Sequence, residues 1–176
     1  RKKRQKNGSI NFEKNEVKFI LDEHKNPINV YFKESLETNK LIEEFMLLAN
    51  KTVAKHLEGK KIPFVYRVHD KPNENKINDL KNIVKTFGYS IESSNSYSLS
   101  KSLNQLLSQS QGKAEEQMIE TLTIRSMAKA VYTTKNIGHY GLAFNHYSHF
   151  TSPIRRYPDL LVHRILKNYI RQEKSI

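Results

Sequence analysis

The sequence predicts an α+β domain, a mixed and largely antiparallel sheet packed by helices, across its 176 residues. Three observations carry that expectation. Short β-rich runs occur at Asn11 to Phe32, Pro63 to His69 and Gly138 to Phe144. Between them, Leu36 to Leu57, Asn73 to Phe87 and Ala114 to Tyr132 place apolar residues at helical spacing. The first β-rich run also doubles back on itself, which makes its pairing antiparallel.

In chain order, Arg1 to Gly8 carries five positive charges and ends in glycine. It is either a basic arm or the last turns of a helix; cations suit a helix C-terminus and glycine suits its cap, which favours the helix. Val17, Phe19 and Leu21 then alternate with Lys18, Ile20 and Asp22. His24-Lys25-Asn26-Pro27 makes a turn, and Ile28 to Phe32 returns as the second strand of a hairpin. Leu36 to Leu57 is the clearest helix, with Leu41, Phe45, Leu48 and Thr52 flanked by Ile42, Met46, Ala49 and Val53 on a broad apolar face expected to be core. Gly59 ends it. Glu43 and Glu44 are neighbours on this helix, about 100° apart around its axis, so only one can face a given groove.

Pro63 to His69 (PFVYRVH) reads as a strand, and Asn73 to Phe87 as an amphipathic helix stopped by Gly88. Ser90 to Gln111 is serine-rich and reads as a polar connector with one helical patch at Leu99, Leu103, Leu106 and Leu107. Ala114 to Tyr132 is the next helix, carrying Arg125, and Gly138 to Phe144 the next strand. Ser152-Pro153 is a helix-start signal, because serine caps a backbone N–H and proline gives up a donor that has no partner there. Tyr157 to Arg171 is the final helix, with Pro158 kinking its start. No internal repeat is visible.

Composition narrows the function. Only 37% of residues are hydrophobic and the formal net charge is +12, an excess that points to a polyanionic partner and to nucleic acid before a membrane surface. There is no cysteine, which removes disulfides and thiolate chemistry. No apolar run reaches membrane-spanning length and no secretory segment opens the chain. Beginning at Arg1, it reads as a piece of a longer, cytoplasmic protein.

Several chemistries fail on inspection. A G-x-S-x-G elbow and a glycine-rich phosphate loop are both missing, and the six glycines are isolated. His146 and His149 stand three apart, without the H-E-x-x-H pattern of a zinc site. Two-metal hydrolysis needs clustered carboxylates, yet the aspartates are only Asp22, Asp70, Asp79 and Asp159. What stands out is the stretch from 139 to 164, HYGLAFNHYSHFTSPIRRYPDLLVHR, rich in histidine, arginine and aromatics. A helix starting at Ser152 would aim its N–H groups and positive dipole end at a phosphate, with Arg155 in its first turn. Arg155 has an equally simple alternative, an ion pair with Asp159 one turn on.

These residues carry a resemblance. FTSPIRRYPDLLVHR, with GHYGLAF and RSMAKAVY before it, resembles the closing section of the catalytic domain of the ribonuclease II / ribonuclease R family. ETNKLIEEFMLLAN (37 to 50) and YRVHDKP (66 to 72) extend the likeness, which covers about residues 12 to 166 in the family's order. The resemblance implies a processive 3′→5′ exoribonuclease that hydrolyses single-stranded RNA to nucleoside 5′-monophosphates with Mg2+. It also implies that residues 1–176 are the C-terminal portion of such a catalytic domain, since the family's aspartate-rich metal motif and flanking RNA-binding barrels have no match here. No metal ligand is therefore expected in this chain, and the isolated fragment is expected to be inactive.

By the same resemblance, Arg155 matches the catalytic arginine of the SPIR motif, contacting the scissile phosphate. Phe12 lines up with an aromatic that stacks on the 3′-terminal base; read without the family, it is a strand core residue. Glu44, or its neighbour Glu43, matches a glutamate that hydrogen-bonds the terminal sugar, one route to preferring RNA. Arg125, Ser152 and Tyr157 fall in the phosphate or nucleotide shell. Asp159, His163 and Arg164 are expected to organise the helix presenting Arg155. Single-stranded RNA is the expected partner, with no membrane and no small-molecule cofactor. A non-catalytic RNA-binding or scaffold module is the alternative, and a general basic DNA-binding domain a more distant one.

Overall fold

The computed structural model describes residues 1–10, 12, 16–33 and 36–173. Asn11, where the first β-rich run begins, lies outside them. The chain runs α1 (Lys2–Lys6), β1 (Glu16–Leu21), β2 (Pro27–Lys33), α2 (Glu37–Gly59), β3 (Tyr66–Val68), α3 (Glu74–Thr86), α4 (Ser96–Ser110), α5 (Glu116–Ser126), β4 (Val131–Thr133), a 3-10 turn (Tyr140–Leu142) and α6 (Tyr157–Glu173). The class is α+β as expected, but the strands form two antiparallel ribbons, β1-β2 and β3-β4. None of the described helices is long and apolar enough to cross a membrane.

The basic opening is helical. Its last turn closes where Gly8 takes a positive φ of 93°, with Gly8 N–H on the Gln5 carbonyl. Beyond it, β1 and β2 pair with Val17 opposite Phe32 and Phe19 opposite Val30. Asp22 makes the turn, its carboxylate accepting from the backbone N–H of His24 and Asn26.

Two apolar clusters hold the rest. One joins α3, α4 and α5 through Ile77, Leu80, Val84, Leu99, Leu103, Leu106 and Ile119, with Ile10 entering from the N-terminal segment. The other joins the end of α2 to β3 and α6 through Ala54, Leu57, Phe64, Tyr66, Val68 and Val162.

Five expectations need correction. The serine-rich segment is a helix in the core: Asn95 caps it by accepting from Ser98 N–H at 2.8 Å, Leu99, Leu103 and Leu106 are buried, and Ser100 and Ser110 bond back to carbonyls of their own helix. The helix around Arg125 stops at Ser126, because Met127 turns extended and Val131-Tyr132-Thr133 pairs with β3 instead. Gly138 to Phe144 is not a strand; positive φ at Gly138 and Ala143 folds it into a 3-10 turn flanked by single bridges to His139. The apolar face of α2 is not core in its first half, where Leu41, Ile42, Phe45, Met46 and Leu48 are exposed. Finally, Ser152 does not start a helix. Residues 152–156 form a turn closed by Arg155 and Arg156 N–H on the Ser152 carbonyl, and α6 begins at Tyr157. Pro158 explains the break: inside a continuous helix from Ser152 its ring would meet the Ile154 carbonyl, whereas in the first turn of α6 it is tolerated.

Candidate nucleic-acid interface

The Arg155 turn is held from three sides. Asp159, fully buried in the first turn of α6, accepts on one oxygen from Ser152 N–H and from Arg156 Nη2, both at 2.8 Å. Asn50 of α2 accepts from the N–H groups of Phe150 and Thr151 at 2.9 and 3.2 Å and donates to the Tyr147 hydroxyl. His163 bonds the Phe150 carbonyl through Nε2 and stacks on that ring, with centroids 3.9 Å apart. Asp159 therefore pairs with Arg156, correcting the alternative that placed Arg155 there. Arg155 itself projects outward, exposed beside Ile154 and Tyr157. Asp159 and His163 brace the turn, while Arg164 lies exposed on α6.

A second focus is a cavity of about 1100 Å3 between α3 and the end of α5, lined by Phe12, His69, Lys76, Asp79, Arg125 and Lys129 among others. It brings together two residues singled out from the sequence, Phe12 and Arg125. Phe12 packs partly on the α3-α4-α5 core and also borders a second cavity of about 610 Å3 beside α4, with Lys6 and Lys101.

Glu44 is elsewhere. Arg4 of α1 donates to its carboxylate at 2.5 Å, and that bond holds the carboxyl below the usual carboxylate range. Glu43 is exposed on the adjoining face of α2. The structure thus ties Glu44 to α1 and gathers neither glutamate into the Phe12 cavity.

Between Arg155 and the Phe12 cavity runs a ladder of rings that the sequence reading did not assemble. His69 meets His139 at 5.0 Å between centroids, His139 meets Tyr147 at 5.2 Å, and Tyr147 meets His149 at 5.7 Å. His149 Nδ1 lies 2.7 Å from the Tyr132 hydroxyl, and the Arg67 guanidinium sits over the Tyr132 ring at 4.6 Å. Burial, reinforced by His69 and Arg67, pushes His139 down to about 3. Burial and the nearby Arg156 push His149 down to about 4. Both are neutral polar rings at physiological pH. Consecutive rings of the ladder lie 70, 8 and 2 residues apart in the sequence and follow no single period, which is why pattern reading missed them. His146 is apart from this ladder and pairs with Glu58.

The magnesium implied by the resemblance finds no fitting donor set. Among the described residues, no three His, Asp or Glu side chains converge as a metal group, and the buried Asp159 is committed to Ser152 and Arg156.

Comparison with known proteins accounts for this arrangement. The RNB domain family matches residues 1–172. Ribonuclease R of Aquifex aeolicus (strain VF5) is 43% identical over 98% of this chain, which spans 24% of that protein. Ribonuclease R of Escherichia coli (strain K12) is 36% identical over 99% of the chain and 21% of its own length. Among solved structures, Mycoplasma genitalium RNase R in complex with ribose-methylated single-stranded RNA superposes with a TM-score of 0.87 at 31% identity, covering 99% of this chain and 27% of that one. Yeast Ssd1, a pseudonuclease, superposes less closely, with a TM-score of 0.63 at 28% identity over 76% of this chain and 17% of that one. The chain spans about a quarter of the length of its ribonuclease R relatives. With the family model matching residues 1–172 and the backbone superposing on RNase R at a TM-score of 0.87, the chain belongs to the RNB domain family.

Proposed function

We propose that this chain is part of a processive, cytoplasmic 3′→5′ exoribonuclease that binds single-stranded RNA and releases nucleoside 5′-monophosphates. The observation that carries the reading is the presentation of Arg155: an exposed guanidinium on a turn fixed by Asp159, Asn50 and His163. An arginine held in that way can meet a scissile phosphate and offset charge that builds on it, without reorganising during the reaction. The Phe12 cavity accepts the 3′-terminal base by stacking, which is indifferent to base identity, and Arg125 at its rim meets phosphate. Ser152 and Tyr157 flank Arg155 in the same shell, whereas Glu44, paired with Arg4, and Glu43 lie away from the Phe12 cavity and are not assigned the terminal sugar. Mg2+ would supply activation of water in this chemistry, and among the described residues no group of carboxylates is placed to hold it.

The yeast pseudonuclease among the structural relatives favours one second reading, a non-catalytic RNA-binding module. Both readings are tested by incubating 5′-labelled single-stranded RNA with magnesium and either the chain or its Arg155→Ala variant. RNA that is bound but not shortened by the isolated chain is the expected result, with binding weakened by Arg155→Ala. Shortening from the 3′ end that Arg155→Ala abolishes would reveal a metal site within these residues. Equal binding of duplex DNA with no preference for a free 3′ end would sink both readings.

A further inference from the structure

His69 lines the Phe12 cavity, bonds directly to its Arg125 side and reaches the segment before Phe12 through Gly141. Its Nε2 lies 2.8 Å from the carbonyl of Ala128, in the segment that leaves α5 three residues beyond Arg125. Its Nδ1 accepts from Gly141 N–H at 2.9 Å. Gly141 in turn accepts, through its carbonyl, from Ile10 N–H at 3.0 Å, two residues before Phe12. A carbonyl can only accept and an N–H can only donate, so the partners fix the neutral tautomer with hydrogen on Nε2. The fit is close: a Cβ on Gly141 would stand 3.1 Å from His69 Nδ1.

We infer that His69 is a positioning residue that sets the Arg125 wall and the Phe12 wall of this cavity at the separation a 3′-terminal nucleotide needs. This rests on the reading that Phe12 and Arg125 contact that nucleotide. One ring ties both sides, donating directly to Arg125's segment and accepting from Gly141, whose carbonyl holds Ile10 two residues before Phe12. The backbone of His69 is held independently, by its own N–H on the Gly138 carbonyl and its carbonyl on Tyr140 N–H at 3.0 and 2.8 Å. Changing the side chain therefore loosens the clamp while leaving these main-chain bonds in place.

Two substitutions cut the clamp one side at a time. His69→Asn places an amide oxygen where Nδ1 was and keeps the Gly141 bond, losing Ala128. His69→Gln places an amide NH2 where Nε2 was and keeps the Ala128 bond, losing Gly141. The measurement is fluorescence anisotropy of a short 5′-labelled oligoadenylate on the chain without metal, with Phe12→Ala and Arg125→Gln in each background. In the unaltered chain each of these two should weaken binding about fivefold or more, the size of a lost base stack. In His69→Gln the cost of Phe12→Ala should fall to within about twofold, the limit of ordinary additivity, while that of Arg125→Gln persists; His69→Asn should show the reverse. Gly141→Ala, which crowds Nδ1, should behave as His69→Gln and serves if a His69 variant fails to fold. Undiminished costs of both substitutions in every background would overturn the clamp alone. If Phe12→Ala and Arg125→Gln have no effect in the unaltered chain, the nucleotide reading fails and the inference goes with it.

Discussion

The two ends of α2 obey the same helical spacing and meet opposite fates. Toward its C-terminus, Ala54 and Leu57 are fully buried against β3 and α6. Toward its N-terminus, Leu41, Phe45 and Leu48 stand more than half exposed. The β1-β2 hairpin shares the second fate, with Phe19 and Phe32 at 58% and 67% exposure, and among the described residues its strands pair only with each other. Apolar periodicity shows that a segment has a face to bury; it does not show what buries it. Exposed apolar area on this scale is characteristic of interaction surfaces. The candidate Arg155 turn lies at the buried end, where Asn50 reaches from α2 to residues 150 and 151.

Three tests break or sharpen that contrast. The largest effect is expected at Asp159, where Asp159→Ala removes a buried carboxylate that satisfies Ser152 N–H and the Arg156 guanidinium. The loss should be about 3–5 kcal/mol in urea unfolding, the usual consequence of stranding one partner of a buried pair. Arg156 is not wholly buried, so a loss near the lower limit is anticipated.

The next test runs within one helix. Leu57→Ala should cost about 2–5 kcal/mol, as a cavity-forming change at a closed site does, whereas Leu48→Ala should stay within about 0.5 kcal/mol. Comparable costs at the two positions would mean that something covers the first half of α2 in solution.

The smallest of the three is a pH dependence belonging to the ring ladder. His139 and His149 ionise near 3 and 4 in the folded chain and near the ordinary 6.5 when unfolded. Between those values the unfolded chain holds more protons, so stability is full above about pH 6.5 and declines as the pH falls toward 4 and then 3. His139 should account for about 2 kcal/mol by pH 5, and His149 for less because solvent reaches it. Unfolding midpoints at pH 7 and pH 5 measure the effect. A His139→Gln variant should flatten it, and an unchanged slope would place the titration elsewhere.

Much of the fold was legible. The hairpin, α2, α3 and the closing helix follow from alternation, helical spacing and glycine stops. Two of the errors share a cause, because each depended on a partner distant in sequence. The serines of α4 read as connector until its leucines find α3 and α5. Val131 and Tyr132 leave a helical run because β3 offers them an edge. At the candidate site, the SPIR motif drew attention to Arg155, but its release from Asp159 depended on the turn that Pro158 imposes. His69 gave no periodic signal, since its partners lie 59 and 72 residues away.

The sequence by itself determined the family, the α+β class, the basic character and the residue types available for chemistry, because motif order, local periodicity and net charge are properties of the chain read in one dimension. Only the tertiary structure decided that Arg156 and not Arg155 pairs with Asp159, that Phe12 and Arg125 line one cavity, and that His69 bridges the Ala128 and Gly141 segments. Hydrogen bonds and packing depend on distances through space, and a distance through space between residues far apart in the chain is set by every element that folds between them.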